Sequence, residues 1–560
     1  MLAVPAKVKG EGGGTPVNEE RARLVAVTVA FVGAALVLGA PTLDAPGVYY
    51  DEVIQAEPAL WFLHAEPTPP EVPGARSVQV LGRPLPWMTQ PYMGALKSLA
   101  LVPVLAWTGP DTMALRAATL AIALAGFCFA IAFTARCFDH ATAVLFGVLL
   151  AGDPSFVFTS RHDWGSFALG FLLRCAAALA LVSGWRARSA SRLFLAGLCA
   201  GLAVYNKIDA AIPLAAAAAA ALVAVPGLAR ELASRTRALG AVLGGLLLGA
   251  APLLAHAGPA LRMTRIAARR TAEGRGDWAE KWSTFAAVLD GTYFQRLMRA
   301  GGSFDALAGV EDVVATPFPA LLAASALGLA LWLALAWRRG RRHPAQTFAL
   351  LAALFTFAGI ALTPRAVRIH HFLNAWPLPP LVVAVAAREG WRRLGSPAAR
   401  GLIALALLAA CLGAAHASLV TLELMRSTGG KGLWSDAVVR LAPELAGARV
   451  VALDWGFAGP LRWADPSLRV DEPIWRLRGR ARARREIEGD ATSVYLLHER
   501  RFAVFPFGPA LLDALAAVPA DAWRLERHPD RSGDTAFVSL RFDGPHRLAY
   551  SGGRFEVEMR

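Results

Sequence analysis

Two adjacent carboxylates, Asp51 and Glu52, follow two tyrosines in the segment Tyr49-Tyr50-Asp51-Glu52, a few residues beyond the first apolar run. A carboxylate at such a place can take the proton from an incoming hydroxyl or amine. The plainer reading is the acidic start of a solvated loop. Gln55, Glu57, His64 and Glu66 come soon after and concentrate polar groups in the same segment. A second cluster, Ser160-Arg161-His162-Asp163-Trp164, sits at the end of another apolar run. Ionisable residues at a membrane boundary are costly and face a cavity or a partner, which here includes the simple alternative of an Arg161–Asp163 pair. A third, Asn206-Lys207-Ile208-Asp209, lies between two long apolar runs. Lys207 can hold a phosphate as a point charge, or merely snorkel beside Asp209. A fourth, Arg365, Arg368, His370 and His371 with Asn374, offers cations to an anionic headgroup or a phosphate-bearing leaving group, with ordinary phospholipid contact as the bland alternative.

Other chemistry leaves no such trace. The sequence holds no GxxxxGK[ST] phosphate loop, no CxxC, no HExxH and no GxSxG. His64, His162, His370 and His371 with nearby carboxylates could hold a divalent ion, but their spacing follows no metal-site pattern, so no cofactor is expected. The five cysteines lie in or beside apolar runs and imply no disulfide framework.

The elements that must carry these residues are apolar. Of 560 residues, 55% are hydrophobic and 18% charged, and the mean hydropathy is +0.43. That composition excludes disorder, a disulfide-stapled module and an ordinary soluble enzyme, and points to a polytopic membrane protein. The net charge of +15 would suggest a nucleic-acid partner in a soluble chain. Here the cations gather in short loops between apolar runs, so no nucleic acid is expected. Eleven candidate spans fall at about 24–40, 113–134, 142–159, 165–183, 193–207, 210–227, 239–257, 317–337, 346–363, 372–387 and 401–420.

One further apolar stretch, Pro91 to Trp107, decides the orientation. If it does not cross, the loops carrying Arg136, Arg186–Arg192, Arg230–Arg237, Arg338–Arg342 and Arg388–Arg400 share the cytoplasmic side with the tail 1–23. If it crosses, nearly all of them land outside. The stretch therefore reads as an interfacial helix on the outer surface. Leu38-Gly39-Ala40 is a poor cleavage site, so the first run reads as a retained span. The module 24–424 then has large outer loops at 41–112 and 258–316. The segment 425–560 reads as a small α/β domain on the same outer face, with strands near 449–454, 493–498 and 535–542 and a helix near 510–518.

Taken in order, these residues resemble the GT-C class of membrane glycosyltransferases, and most the protein O-mannosyltransferases and the lipid A aminoarabinose transferases. The likeness covers roughly 24–390 and rests on Asp51-Glu52, Pro91-Tyr92, Leu115-Arg116 through Ala135-Arg136 to Gly152-Asp153-Pro154, Arg161-His162-Asp163, Gly201-Leu202 with Asn206-Lys207, and Arg368-Ile369-His370-His371. The resemblance implies a GT-C fold with a small soluble C-terminal domain in the plasma (inner) membrane, and a site on the periplasmic or extracellular side. It implies transfer of a sugar, with inversion, from a polyprenyl-phosphate carrier to an acceptor that is protein, lipid or polysaccharide. Asp51 would be the base, Glu52 and Asp163 would position acceptor or sugar, and Lys207 with Arg365 or Arg368 would stabilise the phosphate leaving group. Arg161, His162, His370 and His371 would help bind substrate. The rival reading is a lipid or glycolipid flippase, which would need charges near mid-bilayer and paired broken helices.

Overall fold

In hydrocarbon every backbone amide must find its partner within the protein, so the apolar runs fold as helices. The computed structural model describes residues 17–66, 74–262, 265, 278–302, 310–363, 369–478 and 484–560. Seven of the described helices are long and apolar enough to cross a membrane: Val17–Gly39, Thr112–Cys137, Phe167–Ala187, Thr236–Ala255, Phe318–Arg338, Pro344–Ala361 and Pro397–Thr428. Two bent pairs bring the count to nine. His140–Gly152 and Pro154–His162 meet at 62°, and Ile208–Ala224 and Leu228–Ser234 at 105°. Two of the eleven expected spans are shorter helices, Ala190–Asn206 and Leu378–Arg393, of 17 and 16 residues. The stretch expected at the interface is the helix Leu96–Thr108. Its 13 residues reach about 20 Å, short of the roughly 30 Å hydrocarbon core.

The breaks have local causes. Pro154 has no amide hydrogen to continue the helix, and Asp153 caps the new start by accepting from Phe156 N at 2.8 Å. Asp111 and Asp139 cap two other helices in the same way. A core of Phe127, Phe146, Phe156, Phe158, Phe171 and Trp376 fills the bundle beneath the bent pair. Helices Ala190–Asn206 and Thr236–Ala255 pack backbone to backbone. A Cβ at Gly197, Gly201, Gly245 or Gly249 would come within 2.0–2.5 Å of a carbonyl oxygen on the other helix. The two glycine pairs are each spaced four apart, so one face of each helix carries no side chain.

At one end of the bundle, the helix Tyr50–His64 and a three-stranded antiparallel sheet (Arg76–Val80, Arg83–Gln90, Met93–Gly94) precede Leu96–Thr108. That sheet was not foreseen. Helix Pro397–Thr428 stops at Gly429 and Gly430, both with positive φ, and the C-terminal domain follows. Its five-stranded sheet has Arg449–Ala452 flanked in parallel by Arg469–Asp471 and Ser493–Leu497, then Thr535–Phe542 and Trp523–Pro529 antiparallel. A second sheet joins Arg554–Met559, His546–Ser551 and Arg485–Gly489. The helix Phe507–Ala514 lies close to its expected place.

Candidate active site

The segment between the first span and Asp51 is irregular, and two buried guanidinium groups hold it. Arg116 projects from helix Thr112–Cys137 and uses all five of its N–H groups. Nε and Nη2 donate to the two oxygens of Glu52 at 3.0 and 2.9 Å. The remaining donors reach the carbonyls of Leu43, Pro46 and Gly47 at 2.8–3.1 Å. Arg161, at the end of helix Pro154–His162, donates to the carbonyls of Gly39, Pro41 and Ala45, to Thr42 Oγ1 and to His162 Nε2. Two cations from later helices thereby fix residues 39–47, and with them the start of helix Tyr50–His64. Glu52 completes that start by accepting from Tyr49 N at 2.9 Å. Burial works to raise the Glu52 carboxyl, but the charge and hydrogen bonds of Arg116, with the His162 ring nearby, outweigh it and hold the group well below the usual carboxylate range.

Asp51 sits next to this network, half-buried, in the first turn of the helix. Its carbonyl accepts from Gln55 Nε2 at 2.8 Å, and the same Nε2 donates to the Asp163 carbonyl at 3.2 Å. Asp163 has φ of +35°, Gly165 +93° and Ser166 +62°. A four-residue turn with three left-handed residues is strained, and strain of this kind persists where surrounding contacts enforce it. The contacts are present. The Asp163 carboxylate meets Lys97 Nζ at 2.6 Å and accepts from Ala168 N at 2.8 Å. Ser166 Oγ donates to Asn206 Oδ1 at 2.8 Å, and Asn206 Nδ2 to Ser166 O at 2.9 Å.

Asn206 brings Lys207, which is the break between helix Ala190–Asn206 and the following turn. Lys207 Nζ lies 3.3 Å from Asp209 Oδ2. Ile208 N donates to Tyr92 O at 3.2 Å, so the Pro91-Tyr92 turn holds this segment from the other side. Gly165 closes the arrangement. A Cβ there would come within 2.8 Å of both Lys207 Nζ and the His370 ring, so only glycine lets the three meet. The His371 ring lies tilted against His370 with centroids 4.2 Å apart. Asp51, Asp163, Lys207 and His370 thus belong to one end of the bundle, linked by Gln55 and the 163–166 turn. Arg365 and Arg368 lie outside the described residues.

An apolar groove of about 440 Å³ lies within the bundle, walled by alanines and leucines of helices Phe167–Ala187, Ala190–Asn206 and Ala211–Ala224. Arg174, Asn374 and Trp376 line it. Arg174 donates through Nε to Gly170 O at 3.2 Å and through Nη1 to Asn374 O, while Nη2 has no acceptor among the described residues. A Cβ on Gly170 would in turn lie 3.3 Å from Asn206 Nδ2, so the groove's cation is one short step from the Lys207 cluster.

Glu52, Arg161 and His162 are all buried. Glu52 and Arg161 are engaged with Arg116, His162, Thr42 and backbone groups, while His162 Nδ1 meets no hydrogen-bond partner among the described residues. Sequence reasoning gave no role to Lys97 or to Arg116, each an isolated cation in an apolar run. That isolation was the available signal, because such a residue normally has a buried anionic partner. Among the described residues no three His, Cys, Asp or Glu side chains converge on a point that would suit a metal ion.

The family model described as dolichyl-phosphate-mannose-protein mannosyltransferase matches residues 103–256, which hold Arg116, Asp163 and Lys207 but not Asp51. No curated protein sequence matches the chain. Among solved structures, ArnT from Cupriavidus metallidurans bound to undecaprenyl phosphate is similar at 13% identity with a TM-score of 0.51, over 94% of this chain and 98% of that one. The same ArnT in the apo state is 14% identical over 92% and 98%, with a TM-score of 0.47. An Archaeoglobus fulgidus oligosaccharyltransferase is 13% identical over 78% of this chain and 61% of that one, with a TM-score of 0.44. The chain therefore shares the GT-C-type fold that its sequence resembles.

Proposed function

We propose that the protein is a membrane glycosyltransferase that moves a sugar from a polyprenyl-phosphate carrier to an acceptor at the outer face of the plasma membrane, with inversion at the anomeric carbon. The observation that carries this reading is the placement of a carboxylate, Asp51, and a cation, Lys207, at one end of the bundle, linked through Gln55 and the 163–166 turn. The family-model match over 103–256 and the fold shared with an undecaprenyl-phosphate-bound ArnT support the same donor class.

In this reaction the acceptor O–H or N–H approaches the anomeric carbon from the face opposite the phosphate. Asp51 takes the acceptor's proton as the new bond forms. The bond from the anomeric carbon to the phosphate oxygen breaks, and its electron pair leaves with the carrier phosphate. Lys207, itself buried, stands against that developing negative charge, with His370 beside it. Asp163, neutralised by Lys97, holds the strained turn that presents both groups. The polyprenyl chain occupies the groove, where Arg174 gives its phosphate end a second cation.

The test is Asp51→Asn in the full-length protein reconstituted with native lipid-linked sugars. Turnover should fall by about 10²–10⁴-fold, the usual contribution of a positioned base, with thermal stability unchanged. Undiminished transfer by a correctly folded variant would remove Asp51 from the mechanism.

A further inference from the structure

A second groove opens on the lipid-facing side of the bundle, between helices Phe318–Arg338, Leu378–Arg393 and Pro397–Thr428, with a volume of about 540 Å³. It lies at the far end from Lys207 and His370. Helix Leu378–Arg393 starts beside that cluster and reaches the groove's mouth only at its last turn. The wall from Leu321 to Trp332 spans roughly 16 Å, about the hydrocarbon depth of one leaflet. Leu327, Leu331, Leu402 and Leu405 around it are exposed, as expected of a surface facing lipid tails.

The mouth is built for an anion. Arg393 is held from two sides, by Nε donating to Glu389 Oε2 at 3.0 Å and by the Trp332 ring 4.2 Å from its guanidinium carbon. Glu389 is itself buried and fixed by Gln346 Nε2 at 3.0 Å. The Nη groups of Arg393 meet no acceptor among the described residues, and the clamped side chain is 44% exposed. Arg338, Arg339, Arg341 and Arg342 follow on the loop whose His343 ring stacks 4.5 Å from Trp332. Arg392, paired with Asp139, stands beside Arg393. Cations dominate the rim, while the groove below is apolar.

We infer that this groove binds one anionic phospholipid of the leaflet opposite the candidate active site, its phosphate on the Arg393 guanidinium and an acyl chain along the Gly328 face. The charge arrangement excludes a neutral headgroup as the preferred occupant, and the length matches an acyl chain rather than a protein segment. The site is separate from the proposed transfer chemistry and does not depend on it.

The test is native mass spectrometry of the purified full-length protein titrated with phosphatidylglycerol or with phosphatidylcholine. One phosphatidylglycerol should bind in clear preference to phosphatidylcholine. Arg393→Ala should weaken phosphatidylglycerol binding about fivefold and leave phosphatidylcholine unaffected. Gly328→Leu with Ala406→Leu should abolish the preferred binding by filling the groove. A Cβ at Gly328 meets no atom within 4 Å, so this variant should melt at the wild-type temperature. Equal binding of the two lipids, or wild-type phosphatidylglycerol binding by either variant, would overturn the inference.

Discussion

At the scale of single residues, the candidate site divides into groups proposed to meet substrate and groups that hold the backbone in place. Arg116 is of the second kind. Its five donors are matched to five acceptors, and the bidentate pairing with Glu52 depends on a planar fork. Lysine keeps the charge but offers three donors in another geometry. Arg116→Lys should therefore lower stability by about 3 kcal/mol, the order expected when a buried pair is broken, and cut turnover by displacing Asp51. Thermal unfolding in detergent measures the first effect, and an unchanged midpoint would contradict it. The acidic motif itself was legible, because Asp51-Glu52 after a span is conspicuous. What could not be read was the division of labour within it. Neighbours in sequence point about 100° apart around a helix, and only the arrival of Arg116 from 64 positions downstream decides which one is buried. The same holds for Arg161, whose charge suggested a ligand and whose acceptors are carbonyls with no sequence signature.

At the scale of elements, apolar length gave the spans well, and the Asp caps and Pro154 mark their starts. The 62° bend at Asp153 was hidden because an apolar count runs straight through it. The sheet at 76–94 was hidden for another reason: its first strand is mostly exposed, and its second, although it alternates in burial, carries two prolines, Pro84 and Pro86. Helix contact through glycine was readable in principle from Gly197 and Gly201 opposite Gly245 and Gly249. This contact matters for chemistry because Ala190–Asn206 delivers Lys207. Gly201→Ala would place a methyl group 2.2 Å from Leu246 O, where no rotamer can relieve it. The variant should lose about 1–3 kcal/mol, typical of overpacking, and shift Lys207 enough to slow transfer. A melting temperature equal to wild type would show that the helices separate at no cost.

At the scale of the whole molecule, the C-terminal domain is joined to the site end of the bundle by rings and ion pairs. Trp434 stacks on Tyr49 with centroids 4.2 Å apart, and Trp455 meets both Tyr49 and Tyr50 at 5.2 Å. Arg462 pairs with Glu57 at 3.1 Å, and Trp463 Nε1 donates to Thr112 Oγ1 at 3.1 Å. Arg531 bridges Asp436 of the domain to Asp44 of the loop before the site. The hydrogen bond from Arg531 is the main cause holding the Asp44 carboxyl below its ordinary value, with burial opposing it. A carboxyl lowered on folding stabilises fully above its unfolded value and ceases to do so as pH falls through its folded one. Wild type and Asp44→Asn should therefore differ in domain docking at neutral pH and converge in acid, as pH falls through the lowered Asp44 value and the carboxyl takes up its proton. Proteolysis across residues 429–436 reads this docking, and curves that stay apart in acid would contradict the assignment. The domain's main strands were foreseen from their apolar runs, whereas its attachment was not, since Trp434 and Trp455 look like ordinary core tryptophans in the sequence.

The saturation of Arg116 and Arg161 by carbonyls of residues 39–47 also sets an order of assembly. During synthesis the first loop leaves the ribosome long before either guanidinium does, and Arg531 comes later still. Until Arg116 and Arg161 arrive, the backbone before Asp51 lacks the donors that hold it. A nascent chain that ends before Arg531 would hold residues 39–47 in place yet leave Asp44 without its bridge to the C-terminal domain, so the acidic motif takes shape first and its docking to that domain last.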